Sequence, residues 1–358
     1  MSKKNFKIEK GNTYSVLDAF KFFFFLVVTY FGATLVYMMI VSIVAGSKGM
    51  SSSELYATET CQALSFVLPP VVFISFFLIY NKVKKIKCKY AFSDGQPISL
   101  LPISVAIVLA IISIFLFTPI VNLIEYGFME LGYYADNTIP LQGKMQSSLG
   151  YFALGLLIYA LLPAIAEEIV FRGVIQNAIM SKFNGFVAIF FSTILFVLMH
   201  GSLQQTAYQL IVGIMLGYLA CVGGSIVYSI ILHFLSNALV LVFSCFDIVS
   251  YLNGQNMVYY NFYSMVFPIC IFLLGVALVG ILFWVLKYLR NKNFFRYDVK
   301  MSRKKKSQKV DEPEEEPKKL GLKGMWQALA YNERVFMIAC FVLIGCIWLI
   351  NTISGFAG

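Results

Sequence analysis

Long apolar runs alternate with short polar connections along this chain, and the length of the runs sets its class. Nine of them, roughly residues 17–45, 62–81, 99–124, 148–170, 186–203, 206–222, 225–246, 262–288 and 335–352, read as membrane-crossing helices. A helix rising ~1.5 Å per residue needs ~20 residues to cross a ~30 Å hydrocarbon core. Apolar positions do not recur with period two, and no turn-separated alternating decamers occur, so a barrel is not expected. The first and eighth runs exceed one crossing, which predicts tilt or an interfacial extension. The pattern predicts an all-α polytopic membrane protein of about nine transmembrane helices.

Basic residues are distributed unevenly among the connections. The N-terminus carries Lys3, Lys4, Lys7 and Lys10, and the second connection carries Lys82, Lys84, Lys85, Lys87 and Lys89. A dense run from Lys287 to Lys309 follows the eighth span, whereas connections 46–60, 125–147 and 247–261 hold only Lys48 and Lys144. Cytoplasmic connections are enriched in Lys and Arg, so the alternation predicts a multi-pass cell-membrane protein with a cytoplasmic N-terminus and an outside C-terminus. No short apolar core with a small-residue cleavage site follows the basic start, and Val27 to Val44 reads as an uncleaved anchor.

Composition agrees with the pattern. Of 358 residues, 59% are hydrophobic and only 13% charged, and the mean hydropathy is +0.78. That excludes a soluble globular protein. The net charge of +10 is mostly the topological signal, and with no soluble basic module, nucleic acid is not an expected partner. The connection 289–334 is basic, then acidic from Asp311 to Glu316, then basic again. It reads as a disordered cytoplasmic segment drawn to anionic headgroups, each lysine worth about 1 kcal/mol near the surface. The seven scattered cysteines form no CxxC or zinc-ribbon spacing and read as buried thiols.

The chemistry lies in three short motifs. In Glu167-Glu168-Ile169-Val170-Phe171-Arg172, Glu168 and Arg172 are four apart and share a helix face, leaving Glu167 about 100° away for another partner. Pro163, just upstream, is expected to kink the span and free a carbonyl. Phe196 to His200 forms the second motif; the third runs from His233 to Asn237, with those two residues on one face. If helix four continues through 173–180 and turns at 181–185, Glu167 and His200 each lie ~25 Å from the turn, side by side in an antiparallel pair. Helix four would then be about 50 Å long. Taken singly, such residues often only hydrogen-bond between helices; ionisable groups converging in a membrane point to a functional site.

EExxxR, FxxxH and HxxxN on consecutive apolar helices resemble the CAAX protease and bacteriocin-processing family (CPBP, or Abi) of intramembrane endopeptidases. The resemblance covers roughly 95–250 as a catalytic membrane core. It leaves N-terminal membrane helices (1–94), an additional membrane helix (251–288), a charged cytoplasmic linker (289–334) and a C-terminal membrane helix (335–358). It implies a helical fold with a polar cavity and peptide-bond hydrolysis within or near the membrane. Its eukaryotic branch acts on prenylated C-terminal tripeptides; its bacterial members are linked to bacteriocin maturation or immunity, peptide-pheromone processing and signalling. Carried over by position, Glu167 is the essential glutamate and His200 the second-motif histidine. Glu168 and Arg172 are the supporting pair, and His233 and Asn237 the third-motif residues.

Those residue types suit the implied reaction. Amide hydrolysis needs an activated water and a stabilised oxyanion. Glu167 and His200 can hold the water, and His233 with the Asn237 amide can meet the oxyanion, each donor typically worth about 3 kcal/mol. The family is commonly labelled a metalloprotease, and Glu167, His200 and His233 could hold Zn²⁺. There is no HExxH, however, and the three come from separate helices, so glutamate-activated water without metal is preferred. The expected partners are a peptide or protein substrate in the membrane and the lipid bilayer itself. The competing readings are a catalytically idle scaffold or bacteriocin-immunity protein, and a proton-coupled transporter, which would require internally repeated halves that the chain lacks.

Overall fold

The computed structural model describes residues 13–92, 98–133, 139–246, 262–305, 320–322 and 324–357; for 262–265, 290–305 and 357 it describes only the backbone. The basic residues Lys3, Lys4, Lys7 and Lys10 and the connection 247–261 lie outside the described residues. Among the described residues, nine long helices follow the nine apolar runs: α1 Val16–Ser47, α2 Glu59–Lys84, α3 Leu100–Glu130, α4 Leu149–Met180, α5 Gly185–Met199, α6 Leu203–Gly223, α7 Ile226–Cys245, α8 Phe262–Lys305 and α9 Tyr331–Ala357. Eight contain stretches long and apolar enough to cross a membrane. The protein is an all-α, multi-pass membrane protein.

Polar caps cut the apolar stretch from 185 to 245 into three helices. Asn184, Ser202 and Ser225 each accept a backbone N–H of the first turn of α5, α6 and α7. Gly201, at φ +63°, takes the left-handed turn between Met199 and the Ser202 cap. These signals stop α5 at 15 residues, shorter than the expected 186–203 run. At ~1.5 Å per residue α5 covers ~22 Å, less than a full ~30 Å crossing. His200 is therefore set at a helix end, inside the bundle.

Helix α4 is continuous over 32 residues, as the long form of helix four requires. The kink expected at Pro163 takes the form of a π-helical stretch, Leu156–Leu161, just before it. Proline has no N–H to return to the preceding turn, and a wider turn accommodates that loss. The same device precedes Pro119 in α3, as Ser113–Phe117. A third π stretch, Ile169–Gln176, contains no proline and carries Arg172.

The two largest apolar clusters among the described residues join most of the long helices. One joins Phe20, Phe23, Phe73, Phe171, Phe196 and Cys340, from α1, α2, α4, α5 and α9. The other joins Val105, Leu109, Leu216, Leu232 and Leu286, from α3, α6, α7 and α8. Helices α4 and α7 pack together along the seam. The two ends of the bundle are marked by tertiary contacts. At one end Lys84 pairs with Asp18 at 3.0 Å and Lys182 with Glu333 at 2.9 Å, and the Tyr228 hydroxyl accepts from Ser99 N at 2.7 Å. At the other, Lys144 pairs with Glu59 at 2.9 Å, Gln142 donates to the Ser244 carbonyl at 2.8 Å, and Phe356 packs on Tyr133.

The connection expected to be disordered over 289–334 is partly ordered. Helix α8 continues to Lys305, while 306–319 and 323 lie outside the described residues. Beyond them Leu320 pairs with the α4–α5 turn, its carbonyl accepting from Asn184 N at 2.9 Å. Met325 and Leu329 are buried in the first cluster. Apolar side chains resume at Leu320, so this part of the connection has surface to bury.

Helix α6 approaches α4 and α5 through Gly213 and Gly217, a small-residue spacing that lets helix backbones come close. A Cβ at Gly213 would stand 2.9 Å from Thr193 Cγ2, whereas one at Gly345 meets no heavy atom within 4 Å. Gly213→Leu is expected to destabilise the protein by at least about 1–3 kcal/mol through overpacking. Thermal unfolding in detergent checks this, with Gly345→Leu as the near-neutral comparison.

Candidate active site

The polar residues of the three motifs meet on the α4–α7 seam. Glu168 and Arg172 are both fully buried, with Arg172 Nη1 2.7 Å from Glu168 Oε1. Arg172 Nη2 donates to the Gly213 carbonyl of α6 at 3.1 Å, and its guanidinium lies 4.5 Å from the centre of the Phe196 ring. One turn further along α4, Gln176 donates to the Gly217 carbonyl at 2.9 Å. Glu168, Arg172 and Gln176 thus form a ladder at four-residue spacing, with the two glycine carbonyls of α6 as acceptors.

Hydrogen bonding determines how each histidine is presented. His200 Nδ1 lies 2.9 Å from the Phe196 carbonyl. A carbonyl can only accept, so Nδ1 carries the proton and Nε2 is directed elsewhere. His233 Nδ1 lies 3.0 Å from Glu168 Oε1, again as donor to an acceptor already held by Arg172. The supporting pair is therefore also the group that orients His233. Both Nε2 atoms face the same atom, Glu167 Oε2, at 3.9 Å from His200 and 3.8 Å from His233. Neither distance is a direct hydrogen bond, and this Glu167 oxygen is buried with no partner among the described residues.

These three residues sit in a cavity of about 440 Å³, together with Asn237. Its walls are mainly apolar and aromatic, including Tyr30, Phe66, Phe73, Tyr159 and Leu241. Gln205 and Gln209, on one face of α6, add amides to the lining. Pro69 and Pro70 in α2 also line it, and because they have no N–H, the Ser65 and Phe66 carbonyls lose their usual i+4 donors.

All six residues named from the sequence lie together: Glu167, His200, His233 and Asn237 line the cavity, and Glu168 and Arg172 are packed beside it. The sequence reading assigned no role to Phe196, whose ring also packs edge-on against His200 and His233 at 4.7 and 5.9 Å. It also missed Gln176 and the Gly213 and Gly217 carbonyls. Gln176 was detectable as one more polar residue at four-residue spacing; a carbonyl acceptor leaves no signature beyond the paired glycines.

The spacing bears on the implied zinc ion. Donors ~2.0–2.2 Å from a tetrahedral ion stand ~3.3–3.6 Å apart. Here both histidine-to-glutamate distances are wider, at 3.8 and 3.9 Å. Among the described residues no group of three or more His, Cys, Asp or Glu is arranged to hold a metal ion. The residues as placed do not fit zinc. A water held by hydrogen bonds of ~2.8 Å can span such gaps.

Residues 149–239 match the family model described as "Type II CAAX prenyl endopeptidase Rce1-like". This is the stretch that carries all three motifs, so the resemblance drawn from them is borne out there. The match supports a membrane protease. A relative in Bacillus subtilis (strain 168), named "Putative membrane peptidase YdiL", is 24% identical over 212 residues, covering 59% of this chain and 82% of its own length. No solved structure matches.

Arg172→Ala removes the partner of a fully buried carboxylate and the donor to the Gly213 carbonyl. The expected loss is on the order of 3–5 kcal/mol of stability. It should appear as lower folded yield and earlier unfolding in detergent, before any effect on chemistry is measured.

Proposed function

We propose that this protein is an intramembrane endopeptidase that hydrolyses peptide bonds of membrane-associated peptides or proteins with a water activated by Glu167 and His200. The observation that carries this reading is the convergence of both histidine Nε2 atoms on the unpartnered Glu167 oxygen inside a cavity. Glu167 takes a proton from the water while the hydroxide oxygen bonds to the substrate carbonyl carbon. A protonated His233 Nε2 and the Asn237 amide donate to the oxyanion. Its collapse breaks the carbon–nitrogen bond, and the proton on Glu167 passes to the leaving amine. Glu168 keeps His233 in register throughout.

The family's eukaryotic activity on prenylated tripeptides and its bacterial roles in bacteriocin processing set the range of substrates to be screened. The cytoplasmic N-terminus and outside C-terminus belong to the same proposal, supported by the lysine asymmetry. An idle scaffold or immunity protein, or a proton-coupled transporter, would share the fold without releasing peptides.

Glu167→Gln keeps the shape of the side chain but cannot accept the proton. Mass spectrometry of peptides released in membranes should find products with the wild type that are absent with Glu167→Gln, at equal amounts of folded protein. Retained turnover by the variant would remove Glu167 from the role of base.

Metal content gives a separate check. Elemental analysis of the purified protein should find well under one zinc per chain, and chelation should leave the cleavage rate nearly unchanged. Stoichiometric zinc that is lost with His200→Ala or His233→Ala would overturn the metal-free mechanism.

A further inference from the structure

We propose that the active-site cavity opens on the extracytoplasmic face of the membrane, so that the substrate is a peptide segment reached from outside the cell. The proposal rests on the peptidase reading only for the nature of the occupant; the direction of the opening follows from the fold.

The catalytic residues form the cavity's floor. Its lining rises from Glu167 and His233 past Tyr159 and Phe66 to Ile139, which belongs to the connection between α3 and α4. Tyr159 fastens that connection, its hydroxyl donating to the Pro140 carbonyl at 2.9 Å, and its ring meets Phe66 of α2 edge-on at 5.1 Å. Every one of these upper residues lies toward the end of the bundle marked by the Lys144–Glu59 pair and the Phe356–Tyr133 contact.

Below the floor the described residues are closely packed. The Glu168–Arg172 pair and Gln176 are buried, and Val170, Val174, Ile175 and Ile179 are buried around them. The short helix Lys89–Phe92 closes this end from beneath, its Ala91 packed against Gly173. A path from that end to the catalytic water would have to cross the ion pair.

Charge then assigns the two ends to sides of the membrane. The closed end carries the five lysines between 82 and 89, with Lys182 and Lys287. The open end carries Lys48 and Lys144, the latter paired to Glu59, together with Glu54 and Glu130. Connections rich in lysine stay in the cytoplasm, which places the closed end inside and the opening outside. The upper walls are mainly apolar and aromatic, with Pro69 and Pro70 of α2 and the Gln205 and Gln209 amides of α6 beside them. That surface suits an extended, uncharged segment of an exported peptide or of a membrane protein's outer-facing part.

Labelling with a membrane-impermeant sulfonated maleimide tests the direction without depending on cleavage. Single cysteines replace Gln205 on the cavity wall, Ile139 at the opening and Lys85 at the closed end. The background keeps buried Cys245 and Cys340 and lacks the other five cysteines. In intact cells Gln205→Cys and Ile139→Cys should be labelled and Lys85→Cys should not; in inverted membrane vesicles the order should reverse. Labelling of Gln205→Cys together with Lys85→Cys, or from neither side, would overturn the proposal. Alkaline phosphatase joined after Gly358 of the otherwise native chain gives a second reading, because α9 ends at the open face. Phosphatase activity in intact cells is expected, and its absence would equally overturn the proposal. Labelling as expected without any released peptides would leave the direction standing and remove only the peptidase reading.

Discussion

A fully buried ion pair between Glu168 and Arg172 is the constraint around which the rest of the bundle is arranged. Removing two charges from water costs several kcal/mol for each ion, and their attraction offsets this only where the remaining donors and acceptors are also met. One helix cannot do that alone. Helix α6 contributes the Gly213 carbonyl, α5 the face of Phe196, and α7 the Nδ1–H of His233. The contacts to Glu168 Oε1 and to the terminal nitrogens of Arg172 therefore bring four helices to one place, while Glu168 Oε2 and Arg172 Nε have no hydrogen-bond partner among the described residues.

The same arrangement sets how Glu167 and the two histidines are presented. With Glu168 neutralised by Arg172 and committed to His233, its neighbour Glu167 remains the free carboxylate, turned about one helical residue away into the cavity. The early end of α5 gives His200 a carbonyl to hold its Nδ1 and aims Nε2 at Glu167. Phe196 contacts Arg172, His200 and His233 at once, so one ring links the structural pair to both histidines. The gap between Glu167 and the two histidines lies beside the buried pair.

The helices outside the matched stretch 149–239 take part in the site's construction. Tyr30 of α1 and Phe66 and Phe73 of α2 supply cavity wall. Helix α9 runs beside α5 and reaches the start of α6, where Trp348 donates to Thr206 at 3.2 Å, and Asn351 packs against Gly201, next to His200. The segments flanking the motif core are thus part of one packing unit with it, joined through a common apolar cluster.

The sequence by itself determined the membrane class, the nine helical segments and the six motif residues, because hydrophobic run length, charge between runs and four-residue spacing are local properties read directly from the chain. It also anticipated the Glu167–His200 approach, since residues nearly equally far from one turn are brought level when the two helices run antiparallel. Tertiary structure alone decided the rest. That Leu320 returns to the α4–α5 turn, that Glu168 orients His233, and that both histidine Nε2 atoms face one Glu167 oxygen all depend on contacts between distant segments. Backbone carbonyls such as those of Gly213 and Gly217 are chemically the same at every position. Which of them receives a buried donor is settled only when the helices pack.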